Sequence, residues 1–370
     1  MKKFGQVIKG IAHGLSGRPL NSSTEIRITR LCTQRCRQCR VYEKKTNPPS
    51  MSWENFQTVT QRLRAYGAFI GFISGGEATL VPHLDKILIE AKKTFSIATT
   101  LISGLYNKTE VIKHFGEIAL ANDINIQTSL DGLGELGDSL RGAKNFSEIV
   151  LNHMALLSGL RQNSKSLLYA NIVLNNLNLE QVPQLVKHAH QLGWKTTIGL
   201  YHTITPTTRQ DDELKLQPGR RLDRVLAFLE NNPNILNLNS FIKGITPFIK
   251  TGKNDICPFV DSRFLSTRTT IMENGEVFLC YGEPIGNILN ESLFTIFACP
   301  AYDQRLASYQ KCHGCWTTCY TQRYLLVHPA SAKELIDNFK KVRLTRQVND
   351  GDQAKQNQGR IENSFQVLSE

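Results

Sequence analysis

Leu31-Cys32-Thr33-Gln34-Arg35-Cys36-Arg37-Gln38-Cys39-Arg40 carries three cysteines in a C-x3-C-x2-C array. Three thiolates on one short loop do not close a four-ligand site, and the next cysteine along the chain is Cys257. Structural zinc takes four protein ligands in a closed tetrahedron. A cubane [4Fe–4S] cluster on three thiolates instead leaves its fourth iron open to a group that is not protein. A zinc-knuckle fragment or three separate buried thiols are the plainer readings of the triplet, since free cysteine is often a core residue. The residues just before it, Glu25-Ile26-Arg27-Ile28-Thr29-Arg30-Leu31, read as a strand.

Outward from this point the pattern alternates. Strand-like runs at 25–31, 69–74, 96–102, 124–130, 167–174 and 195–201 enclose helix-like runs at 52–66, 83–94, 109–121, 145–160 and 180–192. Ser52 followed by Glu54 and Asn55 is a helix start, and Gly67 and Gly193 are helix stops. Such alternation implies a parallel sheet, in an open barrel or a doubly wound fold alike.

Two further segments stand at strand ends. Ser74-Gly75-Gly76-Glu77 follows the second strand, where glycine lets backbone approach a ligand closely and a carboxylate can hold an ammonium group. Ser129-Leu130-Asp131-Gly132 ends the fourth strand and is followed by Leu140-Arg141-Gly142. The cysteine triplet and these two segments resemble the radical S-adenosylmethionine (SAM) superfamily. The resemblance implies an α/β fold: a partial (β/α)6 radical SAM barrel followed by a small cysteine-rich domain. It implies a [4Fe–4S] cluster on Cys32, Cys36 and Cys39, with SAM at the open iron. It assigns the SAM amino group to Gly75, Gly76 and Glu77, the SAM carboxylate to Ser129 and Arg141, and the ribose or substrate surroundings to Asp131. Arginine suits a carboxylate through its planar fork of donors. One position departs from the family: where many members place an aromatic residue before the third cysteine, near the adenine, this chain has Gln38.

The second cysteine group is Cys257, Cys280, Cys299, Cys312, Cys315 and Cys319. Asn274-Gly275 is a hairpin signal joining Thr269–Glu273 to Glu276–Cys280. Then come Gly286-Asn287-Ile288 and Cys312-His313-Gly314-Cys315-Trp316-Thr317-Thr318-Cys319. This order resembles the auxiliary-cluster domain called SPASM, or its shorter form, twitch. The full form has seven cysteines and two clusters; with six here, the resemblance implies one auxiliary [4Fe–4S] cluster. Its ligands would be Cys257, Cys280, Cys312 and Cys315, with Cys319 able to replace one of them. A free Cys319 would be a candidate hydrogen-atom donor, as in epimerases resembling this family, and Cys299 a spare thiol. Zinc is the competing metal for C-x2-C pairs.

Composition bounds the rest. The 370 residues, 41% hydrophobic, allow two domains or one large domain with an appendix. The expected division is a basic amphipathic helix at 1–20, the barrel at 21–200, a connecting or substrate region at 201–256, the auxiliary domain at 257–330, and a polar, disordered tail at 331–370. No apolar run is long enough to cross a bilayer. Nine clustered cysteines are metal-like rather than a disulfide framework, which favours the cytoplasm. The formal net charge of +12 favours anionic partners, and a basic metal-stabilised nucleic-acid-binding protein is the alternative from another class, though the cations are spread along the chain, which argues against nucleic acid. The N-terminal helix docks on the body or touches an anionic membrane surface. The resemblance also implies a flavodoxin- or ferredoxin-type reductant and a peptide or protein substrate, with a sugar, lipid head group or other small metabolite as the alternative.

Overall fold

The computed structural model describes residues 8, 9, 12, 19–43, 46–203, 207–254, 256, 257, 266–280, 282–325, 331–338 and 340. The amphipathic helix expected at 1–20 and the tail from 341 onward lie almost wholly outside these residues.

Six strands alternate with helices in chain order: β1 (Leu20–Arg27), α1 (Trp53–Tyr66), β2 (Ile70–Ser74), α2 (Leu84–Thr94), β3 (Ala98–Ile102), α3 (Thr109–Ala121), β4 (Asn125–Ser129), α4 (Gly134–Arg141), α5 (Phe146–Arg161), β5 (Leu168–Leu174), α6 (Val182–Gln191) and β6 (Lys195–Leu200). β1 to β6 pair side by side and in parallel, in order. Ile26, Ile73, Leu101, Ile126, Ile172 and Ile198, one from each strand, are buried against the helices. Each such side chain contributes about 1.5–3 kcal/mol by leaving water. Ser52 caps α1 by accepting the Asn55 N–H, and Gly67 closes it in the left-handed conformation at φ 93°.

The strand expected at 25–31 ends earlier, at Arg27. Beyond it the backbone finds other partners. Ile28 N donates to Ser74 O, Arg30 N to Pro49 O, and the Thr29 carbonyl accepts Gly76 N at 2.7 Å. The chain therefore turns across the top of β2 before the cysteines begin.

After β6 come α7 (Arg220–Leu229), α8 (Asn239–Lys243) and α9 (Ile245–Thr251). β7 (Ser266–Ile271), β8 (Glu276–Phe278) and β9 (Gly286–Asn287) then extend the same sheet, giving the order β6-β5-β4-β3-β2-β1-β7-β8-β9. β7 runs parallel to β1, and the hairpin turns at Gly275, φ 84°. A buried polar zipper joins the two strands: Asn21 donates to Thr24, Thr24 shares a hydrogen bond with Thr269, and Thr269 donates back to Asn21. α10 (Leu293–Ile296), α11 (Pro300–Tyr309) and α12 (Thr321–Leu325) follow. Trp316 packs on Phe241 and Phe248 from the connecting region, and its indole N–H donates to Phe241 O at 2.9 Å.

Residues 332–338, expected to be part of a disordered polar tail, are instead helical. Glu334 accepts both Ser240 N and Ser240 Oγ, and Asn338 donates to Leu236 O. Side-chain hydrogen bonds to the connecting region hold this helix, and Leu335 packs against the core.

Candidate functional site

The cysteine loop lies over the carboxyl ends of β2, β3 and β4, the end of a parallel sheet where ligands bind. Its backbone is fixed on two sides. Arg35 N and Arg37 N donate to the carbonyls of Arg141 and Leu140 at the end of α4, at 3.1 and 3.0 Å. Gly76 N and Glu77 N donate to Thr29 O and Leu31 O, each at 2.7 Å. A Cβ on Gly76 would stand 2.2 Å from Leu31 O, and one on Gly75 2.7 Å from Thr29 O. What these glycines admit is the start of the cysteine loop. Gly142 does the same at the other side: its φ is +54°, and a Cβ there would meet Arg35 O at 2.4 Å. Gly142→Ala combines a left-handed backbone penalty of about 1–2 kcal/mol with a backbone clash. It is expected to lower the iron bound per chain after reconstitution, and metal analysis beside wild type checks this.

Cys32, Cys36 and Cys39 line a cavity of about 140 Å³ together with Gly75, Gly76, Glu77, Ser129 and Arg141. Asp131 stands directly behind. Its Oδ1 accepts Val173 N at 2.7 Å, and its Oδ2 accepts Gln38 Nε2 at 3.1 Å. Oδ2 also lies 2.6 Å from Arg141 Nη2, an ion pair whose angle is too poor for a hydrogen bond. Arg141 Nη1 points at Cys36 Sγ, 3.6 Å away. Burial works against the Arg141 charge, but Asp131 and Cys36 outweigh it and push its pKa up. The Glu77 carboxylate borders the cavity with both oxygens engaged, Oε1 by Thr79 and Ser103 and Oε2 by Gly104 N at 2.8 Å. Burial raises the Cys32 thiol to about 12 and raises Cys36 as well.

The second cysteine group borders another cavity, of about 340 Å³, with Cys280, Cys315 and Cys319 in its wall. Cys257, Cys312 and Cys319 are all within electrostatic reach of Cys315, whose thiol burial raises to about 12. Cys299 stands apart, its Sγ 3.4 Å from Ile285 O. Among the described residues no three Cys, His, Asp or Glu side chains stand as a ready-made metal site.

This larger cavity also holds residues that the sequence did not single out. Glu25 is buried between two arginines: Oε1 accepts Arg27 Nε at 3.1 Å and Ser74 Oγ at 2.7 Å, and Oε2 accepts Arg268 at 2.6 Å. Burial opposes its charge, yet the arginines hold its carboxyl far below the usual range. Arg30 pairs with buried Glu273. His202, just past β6, lines the same cavity with Nδ1 unpartnered, and burial lowers its pKa to about 4. Its place at a strand's carboxyl end was the one signal available for it in the sequence.

Residues 26–189 match the family model described as the Radical SAM superfamily, so the chain carries a radical SAM domain. The sporulation killing factor maturation protein SkfB of Bacillus subtilis (strain 168) is 25% identical over 174 residues, 46% of this chain and 40% of that protein. The match thus spans less than half the length of that curated relative. Among solved structures, Streptococcus suis SuiB is similar with a TM-score of 0.60 at 17% identity, over 81% of this chain and 71% of SuiB. anSMEcpe, solved with AdoMet and the Cp18Cys peptide, gives a TM-score of 0.59 at 16% identity, over 90% of this chain and 99% of that one. These two likenesses are of fold.

A radical SAM domain works with a [4Fe–4S] cluster and SAM, and the residues here fit that pair. The donor set is three thiols on one loop, too few to enclose a metal without an outside ligand. Arg141, 7% exposed, lines the same cavity as the three thiols, with Nη2 ion-paired to Asp131 and Nε without a hydrogen-bonded acceptor, a buried cation suited to the SAM carboxylate.

Proposed function

We propose that this chain is a radical SAM enzyme that removes a hydrogen atom from a peptide or protein substrate, with one auxiliary [4Fe–4S] cluster on its second cysteine group. The observation that carries this reading is the meeting of the cysteine loop, the Gly75-Gly76-Glu77 turn, Ser129 and Arg141 around one cavity. When bound, the cluster supplies an electron to SAM, whose sulfur–carbon bond breaks to give methionine and a 5′-deoxyadenosyl radical.

The chain's own residues hold and orient. Cys32, Cys36 and Cys39 hold the cluster. Arg141 and Ser129 hold the SAM carboxylate, and Asp131 keeps Arg141 charged and in place. Glu77, saturated by Ser103, Thr79 and Gly104, fixes the turn that carries the amino-group contacts. Cys257, Cys280, Cys312 and Cys315 hold the auxiliary cluster, with Cys319 either a ligand or a hydrogen-atom donor. The larger cavity, between β1, β7 and the second cysteine group, receives the substrate. Residues 257–330 then act as a twitch-like unit whose first strand is annealed to β1.

The peptide substrate rests on the relatives: SkfB is named for maturing a killing factor, SuiB was solved with precursor peptide SuiA, and anSMEcpe with a peptide. A flavodoxin- or ferredoxin-type protein supplies the electron. No helix among the described residues is long and apolar enough to cross a membrane.

The test is anaerobic reconstitution with iron and sulfide, then dithionite and SAM, scored for 5′-deoxyadenosine. Its formation, without added substrate or with a candidate peptide, is the expected result. Fully reduced clusters with no deoxyadenosine under either condition overturn the reading.

A further inference from the structure

We infer that Tyr42, backed by Arg35, is the stacking surface for the adenine of SAM in this chain, an inference that rests on the radical SAM reading above. The residue just before the third cysteine cannot serve: Gln38 has no ring, and its amide is committed to Asp131 at 3.1 Å. Of the described residues that line the thiol cavity, Tyr42 is the one aromatic. It stands three positions beyond Cys39, where the backbone turns back over the loop: Val41 N donates to Cys39 Sγ, and Glu43 N to Arg40 O.

The ring is held from two directions. The Arg35 guanidinium carbon lies 4.5 Å from its centroid, and Arg35 is itself pinned by Nη1 hydrogen bonds to Cys32 O and Gln34 O at 2.8 and 2.9 Å. Arg209 Nη2 donates to the Tyr42 hydroxyl at 2.8 Å. The Arg209 backbone is paired with the cysteine loop in turn, its N–H donating to Gln38 O at 2.9 Å beside the Cys39–Thr208 bridge. A cation on one face and a hydrogen bond at the hydroxyl preorganise the ring. A flat purine gains from a rigid π-face next to a cation. Tyr42 thereby does for adenine what Gln38 cannot.

The experiment uses the full chain, reconstituted anaerobically and reduced with dithionite, with iron counted in every sample. SAM and free methionine are titrated separately and followed by the change in the cluster's electron paramagnetic resonance signal. Methionine has the amino and carboxylate groups but no adenine. Tyr42→Ala is expected to weaken SAM binding about tenfold while leaving iron content and methionine binding unchanged. Tyr42→Phe, which keeps the ring and the Arg35 contact but loses the Arg209 hydrogen bond, is expected to bind SAM more tightly than Tyr42→Ala does. Equal SAM affinity in Tyr42→Ala and wild type overturns the inference. So does a parallel loss for both probes, or loss of iron in both Tyr42→Ala and the bulk-preserving Tyr42→Leu, since each makes Tyr42 a prop for the loop. A wild-type cluster that responds to neither probe overturns the proposed function itself, and this inference with it.

Discussion

Glu25→Gln is expected to destabilise the folded chain by about 3–5 kcal/mol, the cost of removing one partner from a buried ion cluster. In the native protein one carboxylate serves Arg27, Arg268 and Ser74. The side chains of Arg27 and Arg268 retain 18% and 8% exposure, so neither can turn to water without breaking the seam between β1 and β7. Glutamine has nearly the same shape but leaves two cations facing each other with no anion between them. Denaturant unfolding of wild type and variant checks the size of the effect. A loss under about 1 kcal/mol would mean that the arginines are hydrated rather than held by Glu25.

The same cluster sets a pH dependence whose sign follows from the lowered Glu25 pKa. In the unfolded chain Glu25 titrates near the ordinary value of about 4.3. In the folded chain it stays ionised well below that. Its contribution is therefore complete above the unfolded pKa and is lost as pH falls below it. Wild-type stability should fall with acidification in that window, and Glu25→Gln should show a shallower fall. Denaturant midpoints measured at several pH values check the difference in slope.

Much of the fold was legible because it is local. Each strand–helix unit announces itself by an apolar period and by punctuation such as Ser52 or Gly67, which the structure uses as caps. α4 was not legible. Gly134-Glu135-Leu136-Gly137-Asp138-Ser139-Leu140-Arg141 has two glycines and little helix propensity. It is held from outside: Ser147 Oγ accepts Gly134 N, and Asp138 accepts Asn145 N and Phe146 N. That helix delivers Arg141 to the cavity and presents the carbonyls that seat the cysteine loop. Glu25 and Arg27 stood in the sequence only as members of a strand. They point inward because Arg268, more than two hundred residues later, arrives on β7 to share the carboxylate. The motif residues were visible because their identity is dictated by chemistry. The jobs of Gly75, Gly76 and Gly142 were not, because what they approach is another stretch of backbone.

Cys32→Ala/Cys36→Ala/Cys39→Ala is expected to abolish 5′-deoxyadenosine formation and to remove about half of the bound iron, one cubane of two. The argument depends on the loop surviving the change. Its seating bonds run from Arg35 N, Arg37 N, Gly76 N and Glu77 N to backbone carbonyls, while the Cys32 and Cys39 thiols accept only long bonds from Gln34 N and Val41 N within the loop. Cys36 is the one buried member, and it exchanges only weak contacts with Gln34 and Arg141. The variant should therefore fold and keep the second cysteine group as it was, separating the two metal centres. Residual iron near half, with the remaining cluster's electron paramagnetic resonance signal indifferent to SAM, places SAM at the first site and a closed cluster at the second. Complete loss of iron would remove the auxiliary cluster from the reading. Retention of all the iron, or of deoxyadenosine formation, would remove the cluster from Cys32, Cys36 and Cys39.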